Sequence, residues 1–414
     1  MTSVPHLLLV CPRTDILGKL LGLPVALTVV HRPGGDRELE EATALRVVDA
    51  DFQDPDALLA TAREVHARRP LDAVLGMTEL SLYPVSVVAD VLGVRGNGAA
   101  TVALAQNKAA MRRLLHERGV SSTAHRLCAT AGDAAEFLRD HPGGIVLKPV
   151  DGNGGTGVHL VRDAGELAAA WAWTTGAKAA WAWSKEATGA PRVLAEEYLS
   201  GQEFSVESLS ADGRHRALMV TRKYSSGPPH FVETGHDQPA GLAEPACTAV
   251  TSAALDALDA IGYRWGPAHT EVMLSADGAR ATVVEINARQ GGDQLWELTQ
   301  HTTGTDLLLW SVLALAHAAP PPGSAPLAGG AAIRYLRPAP GRVTAVEGVD
   351  EALAVDGVIR VGELCRPGQT VAPLGDSWNR TGYVVATGPD AKAAGAAAEA
   401  AAARIAIRTE PEAQ

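Results

Sequence analysis

The clearest pattern of apolar and polar positions lies between Val283 and Arg289. The β-branched residues of this stretch predict a strand, and Glu285, Asn287 and Arg289 occupy every second position of it. Side chains alternate between the two faces of a strand, so these three share one face. Carboxylate and amide oxygens suit Mg²⁺, and a guanidinium suits phosphate. Taken alone, the stretch also fits an amphipathic edge strand with a solvated polar face.

Short apolar runs alternate with helical patterns at the start of the chain. The runs 6–10, 25–30 and 72–76 predict strands, and residues 56–69 and 81–92 predict helices. Strands that alternate with helices are typical of α/β proteins with a parallel sheet. We therefore expect a doubly wound, open sheet in this region.

A glycine-rich turn connects two further apolar runs, at 146–149 and 158–161. Four glycines lie within 152–157, and Lys148 stands just before them. Backbone N–H groups in such a turn can approach phosphate oxygens with little obstruction by side chains. No Gly-Lys-Ser/Thr closes the turn, and a strand follows it, which excludes a Walker A loop and a dinucleotide fingerprint. A flexible hairpin loop is the alternative.

Another strand signal, beginning at Val193, runs into a short linker at 199–201 and then into a second strand that carries Glu203. A linker backbone can offer N–H and C=O groups to an adenine edge. Carboxylates can accept hydrogen bonds from an exocyclic amine and from ribose hydroxyls. The alternative is an ordinary hairpin with acidic tips.

Composition narrows the class of protein. The 414 residues are enough for about three domains, and 46% hydrophobic with 20% charged residues is ordinary for a globular protein. A net charge of −11 argues against nucleic acid or an anionic membrane as the main partner. The four scattered cysteines show no metal-binding spacing, and we find no membrane-spanning or signal segment. We therefore expect a cytoplasmic protein with reduced thiols.

In chain order, the motifs resemble the ATP-grasp superfamily. The resemblance rests on Lys108, the glycine loop after Lys148, Glu196-Glu197-Tyr198-Leu199 followed by Glu203, then Glu271, and finally Glu285-x-Asn287-x-Arg289. The later segment Arg380-Thr381-Gly382-Tyr383-Val384 is similar to the C-terminal domain of the L-amino-acid-ligase branch. The resemblance thus extends over nearly the whole chain.

The resemblance implies an α/β (α+β) architecture, the ATP-grasp fold, in three regions. Residues 1–105 would form the N-terminal open parallel-sheet domain. Residues 106–318 would form the ATP-grasp core, with a mobile glycine-loop lobe at about 121–199. Residues 319–414, which follow a proline-rich linker at 318–323, would form a small C-terminal α/β lobe. Tryptophans 171, 173, 181 and 183 are expected on a helical hairpin, where core packing is favoured over a ligand platform.

The resemblance also implies an activity. The chain would be an ATP-dependent, ADP-forming carboxylate–amine ligase that acts through an acyl phosphate and joins two amino acids into a dipeptide, α- or γ-glutamyl. Its cofactors would be ATP and two Mg²⁺ ions, with Mn²⁺ able to replace Mg²⁺. Its partners would be small-molecule amino acids, with neither nucleic acid nor membrane, and a homodimer is an open alternative. A role in secondary metabolism is expected.

Roles for individual residues follow from the same resemblance. The residues that would contact the nucleotide are Lys108, Lys148, Gly154, Gly155, Thr156, Glu196, Glu197, Leu199 and Glu203. The metal ligands would be Glu271, Glu285 and Asn287, and the catalytic residues would be Arg289, Lys223 and Gly292. The substrate would contact Glu233, His236, Arg289 and Asp293. A hairpin through 275–278 would set Glu271 beside Glu285. For Lys223 a solvated strand lysine is the alternative, and for 231–240 a surface loop.

Other classes of function stay open. The same fold serves ligases with a non-amino-acid carboxylate or amine, such as purine-pathway or carrier-protein aminoacylating enzymes. A nucleotide-binding module without catalysis would predict loss of a metal ligand or of Arg289, and the sequence retains both. A kinase is a further alternative. A biotin-dependent carboxylase would normally come with Ala-Met-Lys-Met, which is absent. Gln290 stands where relatives often carry an apolar residue, which leaves substrate identity open.

Overall fold

The computed structural model of the protein describes residues 4–12, 14–32, 46–177, 193–316 and 325–411, for 14–16 without their side chains. Its strands are β1 (His6–Val10), β2 (Ala26–His31), β3 (Arg46–Asp49), β4 (Ala73–Gly76), β5 (His125–Cys128), β6 (Ile145–Pro149), β7 (His159–Val161), β8 (Val193–Glu197), β9 (Gln202–Ala211), β10 (Arg214–Ser225), β11 (Glu233–Gln238), β12 (Gly266–Leu274), β13 (Ala281–Asn287), β14 (Gly330–Tyr335), β15 (Gly341–Glu347), β16 (Val358–Gly362), β17 (Thr370–Val371), β18 (Tyr383–Gly388) and β19 (Ala406–Glu410). Its α-helices are α1 (Thr14–Leu20), α2 (Pro55–Arg68), α3 (Glu79–Leu92), α4 (Ala99–Gln106), α5 (Lys108–Glu117), α6 (Ala131–Arg139), α7 (Leu167–Gly176), α8 (Glu244–Ile261), α9 (Leu295–Thr303), α10 (Leu307–Leu315), α11 (Val349–Leu353) and α12 (Ala391–Ala402).

The N-terminal region contains the predicted parallel sheet, with strand order β3-β2-β1-β4. Strand β1 is buried along its whole length because both faces of the sheet are covered. Leu8 and Val10 pack on one side with residues of α2 and α3. Leu7 and Leu9 pack on the other side with residues of α10. The second contact fixes this region against the rest of the protein.

The glycine-loop lobe is built on an antiparallel sheet with strand order β5-β8-β6-β7. Its core is made of apolar residues from these strands and from α6 and α7, including Phe137, Ile145 and Val161. The glycine loop connects β6 to β7. The loop is therefore carried at the edge of a small, separately packed layer.

The central sheet has eight strands, in the order β13-β12-β9-β10-β11-β14-β18-β16. Strands β12 and β13 form the predicted hairpin, in which Glu271 lies directly opposite Glu285 and His269 opposite Asn287. Three strands from the C-terminal region, β14, β18 and β16, continue this same sheet. Only β15, β17 and β19 form a separate C-terminal sheet. C-terminal residues are thereby brought to the cavity described below.

Several local predictions differ from the structure. The alanine-rich run at about 391–405 predicts a final helix, but that helix ends at Ala402, and the chain continues as strand β19, which pairs with β15. Helices α4, α6 and α11 are among those that were not predicted from the sequence. Trp181, Trp183 and the predicted linker at 318–323 lie outside the described residues. Within the described ranges, no helix is both long and apolar enough to cross a bilayer.

Candidate active site

A cavity of about 540 Å³ opens where the glycine-loop lobe, the central sheet and the C-terminal region meet. It is lined by every residue for which the sequence predicted a role, namely Lys108, Lys148, Gly154, Gly155, Thr156, Glu196, Glu197, Leu199, Glu203, Lys223, Glu233, His236, Glu271, Glu285, Asn287, Arg289, Gly292 and Asp293. The tertiary structure therefore brings the predicted residues together, and their individual roles stay predictions.

The glycine loop has the open backbone that a phosphate-binding turn requires. Gly154, Gly155 and Gly157 have φ values of +64°, +71° and +75°, a conformation that side-chain-bearing residues rarely adopt. A Cβ atom placed on Gly155 would meet nothing within 4 Å. Thr156 is buried beside this turn. The backbone at Gly155 is thus unobstructed, whereas Gly154 lies against the indole of Trp378, and phosphate binding by the loop stays a prediction.

A buried ion cluster lies beneath the loop. Glu196 of β8 pairs with Lys148 of β6 at 2.5 Å and with Arg112 of α5 at 2.5 Å, and all three side chains are almost fully buried. Burial alone would raise the pKa of Glu196, but the two cations outweigh it and lower the pKa to about 2. Glu196 is therefore ionised and holds α5, β6 and β8 together.

Replacing Glu196 with glutamine should destabilise the fold by about 3–5 kcal/mol, because Lys148 and Arg112 would stay buried without their counter-ion. The measurement is the free energy of unfolding in urea, with Glu347→Gln as the control. Glu347 pairs with Arg408 at the surface, so its loss should cost under about 1 kcal/mol. A similar cost for both variants would contradict the structural role of Glu196.

The same carboxyl group makes stability depend on pH. The pKa of Glu196 falls from its ordinary value of 4.5 to about 2 in the folded protein. The stabilisation is therefore complete above pH 4.5 and is lost as the pH falls from 4.5 towards 2. We expect this loss to be smaller in the Glu196→Gln variant.

The predicted adenine-binding carboxylates have partners in the protein. Both oxygens of Glu196 accept from the buried cations. One oxygen of Glu197 accepts from the backbone N–H of Ala124 at 2.9 Å. The rings of Tyr198 and Phe231 stack with centroids 6.0 Å apart at the same end of the cavity. Backbone groups of the linker near Leu199 are thus the better candidates for an adenine edge, and Glu196 the better candidate for positioning Lys148.

The three predicted metal ligands share one side of the cavity. Glu271 and Glu285 face each other across β12 and β13, and Asn287 follows two residues later on the same strand face. Each has a cationic neighbour: Lys108 lies 3.1 Å from Glu285, Lys223 lies 2.7 Å from Glu271, and Arg289 donates to Asn287 Oδ1 at 3.4 Å. The set is therefore held in place by positive charge from the protein.

Lys223 stands at the centre of an acidic cluster. Its Nζ lies 2.6 Å from Glu203, 2.7 Å from Glu271 and 3.3 Å from Glu233, and the side chain is 4% exposed. Burial lowers the pKa of Lys223, but the three carboxylates raise it well above 10.5. Burial raises the pKa of Glu203, and the charge of Lys223 opposes this rise. The charge of Glu271 raises the pKa further, so that the pKa of Glu203 is about 7. The alternative of a solvated strand lysine is wrong.

His269 adds a third buried cation, after Lys108 and Lys223, next to the metal-ligand candidates. Its Nδ1 lies 2.8 Å from Glu207 and its Nε2 lies 3.3 Å from Glu271. Burial alone would lower the pKa of His269, but Glu207 and Glu271 raise it to about 10. The protonated ring fixes the orientation of Glu271.

The donor chemistry of this side of the cavity fits a divalent cation with ATP. Glu271 and Glu285 supply hard carboxylate oxygens and Asn287 supplies an amide oxygen, which are the ligands that Mg²⁺ prefers. The described residues contain no group of three or more His, Cys, Asp or Glu side chains able to hold a metal by themselves. A set with few protein ligands suits an ion that also takes its ligands from phosphate.

Arg289 is oriented by a residue that sequence reasoning did not assign. Its Nε donates to Glu79 at 2.7 Å, and Nη1 donates to the carbonyl of Gln290 at 2.9 Å. Glu79 begins helix α3, where Thr78 and Ser81 form a capping box. Burial raises the pKa of Glu79, but Arg289 and the hydrogen bond from Gln106 bring it below its usual value. The N-terminal region thus orients the guanidinium.

The turn after Arg289 is tightly shaped. A Cβ atom on Gly291 would lie 2.9 Å from His269 Nδ1, whereas one on Gly292 would meet nothing within 4 Å. Asp293 and Gln294 have φ values of +54° and +58°, which are uncommon for residues with a side chain. The next helix, α9, begins at Leu295, two residues after Asp293. Gly292 therefore presents open backbone to the cavity, as its predicted role requires.

A polar network surrounds the residues predicted to contact the substrate. His236 Nε2 lies 2.8 Å from Asp293 Oδ2, and the guanidinium of Arg380 donates to both oxygens of Asp293 at 2.8 and 2.7 Å. Burial raises the pKa of Asp293, but His236 and Arg380 lower it well below its usual value. The ring of Tyr335 lies 3.7 Å from the Arg380 guanidinium carbon. The predicted surface-loop alternative for 231–240 is wrong for Glu233–Gln238, which form β11 within the central sheet.

Sequence reasoning missed several residues of the site. Arg112 lies four positions after Lys108 on α5 and thus on the same helix face, so the helical period could have indicated it. Tyr335, Ser377 and Trp378, which line the cavity, and Glu79, which contacts Arg289, carried no such signal, because only the fold brings them to the site. Of the described tryptophans, Trp171 packs against the lobe core as predicted, while Trp173 is exposed and lies against His230.

Three family models match successive parts of the chain. The ATP-grasp N-terminal domain matches residues 19–94, the ATP-grasp domain matches 142–297, and the L-amino acid ligase C-terminal domain 2 matches 334–410. The chain belongs to the ATP-grasp superfamily. The predicted resemblance to its L-amino-acid-ligase branch and the predicted enzyme class, an ATP-grasp ligase, are confirmed.

The chain is also similar to individual proteins and to solved structures. The uncharacterized protein y4rH of Sinorhizobium fredii is 27% identical over 354 residues, which are 85% of this chain and 71% of that protein. The alanine–anticapsin ligase of Bacillus subtilis is 25% identical over 293 residues, 64% of this chain and 61% of that protein. The crystal structure of the L-amino acid ligase from Bacillus licheniformis has a TM-score of 0.79 at 22% identity, and the match covers 99% of this chain and 100% of that one.

These comparisons confirm the predicted fold class. They also establish the coarser chemistry: the chain is a member of a family of carboxylate–amine ligases that use ATP and divalent metal ions. The predicted region boundaries and the predicted role of each site residue stay predictions.

Proposed function

We propose that this ATP-grasp ligase joins two amino acids into a dipeptide, α- or γ-glutamyl, through an acyl phosphate, and releases ADP and phosphate. The observation that carries the proposal is the shared cavity. The glycine loop and the metal-ligand candidates line it together with Glu233, His236 and Asp293, and Lys223 contacts both Glu271 and Glu233. Arg289 lines the same cavity beside Asn287. A carboxylate bound by the polar network would thus be next to the terminal phosphate.

Phosphoryl transfer requires neutralised charge and aligned reactants more than covalent chemistry from the protein. Lys108 and Lys148 would contact the α- and β-phosphates, and Lys223 would exchange its carboxylate neighbours for the γ-phosphate. Two Mg²⁺ ions, replaceable by Mn²⁺, would neutralise the β- and γ-phosphates when bound at Glu271, Glu285 and Asn287. Arg289 and the Gly292 backbone N–H would bind the oxygens that gain charge as the acyl phosphate forms and breaks.

Substrate recognition would use the opposite charges of the polar network. Glu233 would pair with the ammonium group of one amino acid, and His236 would contact a carboxylate. Asp293 is already held by Arg380 and His236, so it would shape the pocket and keep His236 oriented. The amino acids are the proposed partners, while the homodimer and the cytoplasmic location stay predictions.

The test is a screen of the purified protein with ATP, Mg²⁺ and all pairs of amino acids. Phosphate release identifies active pairs, chromatography identifies the nucleotide product, and mass spectrometry identifies the ligated product. We expect ADP, phosphate and dipeptide in equal amounts, formed only when an amino-acid substrate is present. AMP as the main product would overturn the mechanism. Phosphate release without any ligated product would favour a kinase or an ATPase.

Glu233→Gln should raise the KM for one amino acid about 10-fold or more, because a hydrogen bond to a charged group contributes about 1.5–3 kcal/mol. The affinity for Mg·ADP should change by less than about twofold, since glutamine keeps an oxygen for Ser377. Initial rates and calorimetry measure the two effects. His236→Asn should act in the same direction, and Glu244→Gln, on the first turn of α8, is the control. Loss of nucleotide affinity alone in Glu233→Gln would refute this placement.

A further inference from the structure

One short C-terminal segment contacts both sides of the cavity. This segment, residues 375–380, contains a 3₁₀ turn at Ser377–Asn379 and will be called the bridge segment. It lies between β17 and β18 in the chain, far in sequence from the glycine loop and from β11. None of the sequence motifs indicated a role for its first five residues.

The bridge segment holds the glycine loop on one side. The backbone N–H of Ser377 donates to the carbonyl of Gly154 at 2.9 Å, and Thr156 Oγ1 donates to Asp376 Oδ2 at 3.4 Å. The indole of Trp378 lies so close to Gly154 that a Cβ there would be 3.0 Å from its Nε1. The loop that would cover the phosphates thus rests directly on this segment.

The same segment holds the amino-acid side of the cavity. Ser377 Oγ donates to Glu233 Oε2 at 2.8 Å, and the Arg380 fork binds both oxygens of Asp293. Arg380 Nε also donates to the carbonyl of Ser377 at 2.9 Å, which connects the two contacts. Glu233 and Asp293 therefore take their positions from the bridge segment.

The bridge segment is internally stiff, so a displacement at one end is transmitted to the other. Asp376 Oδ1 accepts from the N–H of Trp378 at 3.0 Å and caps the 3₁₀ turn. Asn379 Oδ1 accepts from the N–H groups of Gly375 and Asp376 at 3.1 and 3.2 Å. When two ligand sites both contact one stiff segment and both influence its position, binding at one site changes the affinity of the other, and the effect is reciprocal.

We infer that the bridge segment couples the two sites: Ser377 and Asp376 are positioning residues through which the closed glycine loop orders the amino-acid pocket, and a filled pocket orders the loop. The inference rests on the proposed function for the identity of the second ligand. It assigns the C-terminal region a role in making nucleotide binding and amino-acid binding mutually dependent. Phosphate transfer to water would thereby be disfavoured when the pocket is empty.

The test uses two variants, each of which removes one side-chain contact of the bridge segment. Asp376→Ala removes the contact to Thr156 in the loop, and Asp376 does not line the cavity. Ser377→Ala removes the contact to Glu233 but keeps the backbone N–H that binds Gly154. Asp376→Asn is the conservative variant, since asparagine can cap the turn and still bond to Thr156. Thr344→Ala, which removes one hydroxyl–backbone bond elsewhere in the C-terminal region, is the control.

We expect each variant to affect the ligand on the opposite side. Ser377→Ala should weaken the binding of Mg·ADP about fivefold or more in calorimetry, a typical size for a coupling between sites. Asp376→Ala should raise the amino-acid KM by a similar factor, measured with the pair that the wild type ligates fastest. Asp376→Asn should restore values within about twofold of the wild type, and Thr344→Ala should change neither quantity.

The inference would be overturned if Ser377→Ala affected only amino-acid binding and Asp376→Ala affected only nucleotide binding. The absence of any effect in both variants would overturn it as well. The Mg·ADP measurements need no amino acid, so they decide the inference even if the wild type forms no dipeptide and the proposed function fails. Should Asp376→Ala lose its fold in circular dichroism, Ser377→Ala still decides the result, because it leaves both backbone contacts and the cap of the turn in place.

Discussion

Arg289→Lys is expected to lower the rate of amide formation about 10²- to 10³-fold, the usual cost of removing one preorganised donor from a developing negative charge. Arg289 presents a planar fork that Glu79 and the carbonyl of Gln290 hold in one orientation. Lysine can keep the ion pair with Glu79, so the fold should survive. A single ammonium group cannot reproduce two parallel hydrogen bonds to phosphoryl oxygens.

Steady-state kinetics with saturating ATP and amino acids would measure this loss in kcat. Arg264→Lys is the matched control, because Arg264 forms an exposed ion pair with Asp212 away from the cavity. The midpoint of thermal unfolding shows whether the variant is folded. A folded Arg289→Lys variant with a rate within about threefold of the wild type would exclude a role for the guanidinium in the transition state.

The second large effect is expected for the metal-ligand strand. Glu285→Ala or Asn287→Ala should lower turnover on the order of 10³-fold, because a bound divalent ion contributes several kcal/mol of charge stabilisation and each 1.36 kcal/mol is tenfold in rate. Glu285 faces Glu271 across the hairpin, so the loss of either side removes a ligand that its neighbour cannot replace. Lys108 keeps its hydrogen bond to the Gly152 carbonyl, which limits the damage to the fold.

A titration of ADP formation with Mg²⁺ distinguishes a metal ligand from a merely structural residue. The variants should need a higher Mg²⁺ concentration for their remaining activity. Glu285→Gln, which keeps one oxygen, should lose less activity than Glu285→Ala, and Glu347→Gln at the surface should match the wild type. Near-normal activity of Glu285→Ala at limiting Mg²⁺ would show that the metal site lies elsewhere.

Much of the site was already visible in local sequence patterns. The alternation at Glu285, Asn287 and Arg289 follows from the two-residue period of a strand, and the structure places all three at one cavity. The glycine loop could be recognised because glycine adopts the positive φ values found at 154, 155 and 157 far more readily than residues with a side chain. The hairpin that sets Glu271 opposite Glu285 followed from the turn residues between two apolar runs. In each case the signal is local to a few residues.

The sequence by itself thus determined the parallel N-terminal sheet, the glycine loop, the strand that carries Glu285, Asn287 and Arg289, and the family to which they belong. Only the tertiary structure decided which charges meet. The sequence motif predicts that Glu196 contacts the nucleotide, whereas in the fold its carboxylate is a buried counter-ion for Lys148 and Arg112. The central sheet continues into β14 and β18, which brings Arg380 to Asp293 and Ser377 to Glu233. These contacts join residues that are 87 and 144 positions apart, and no local period of the chain encodes such distances.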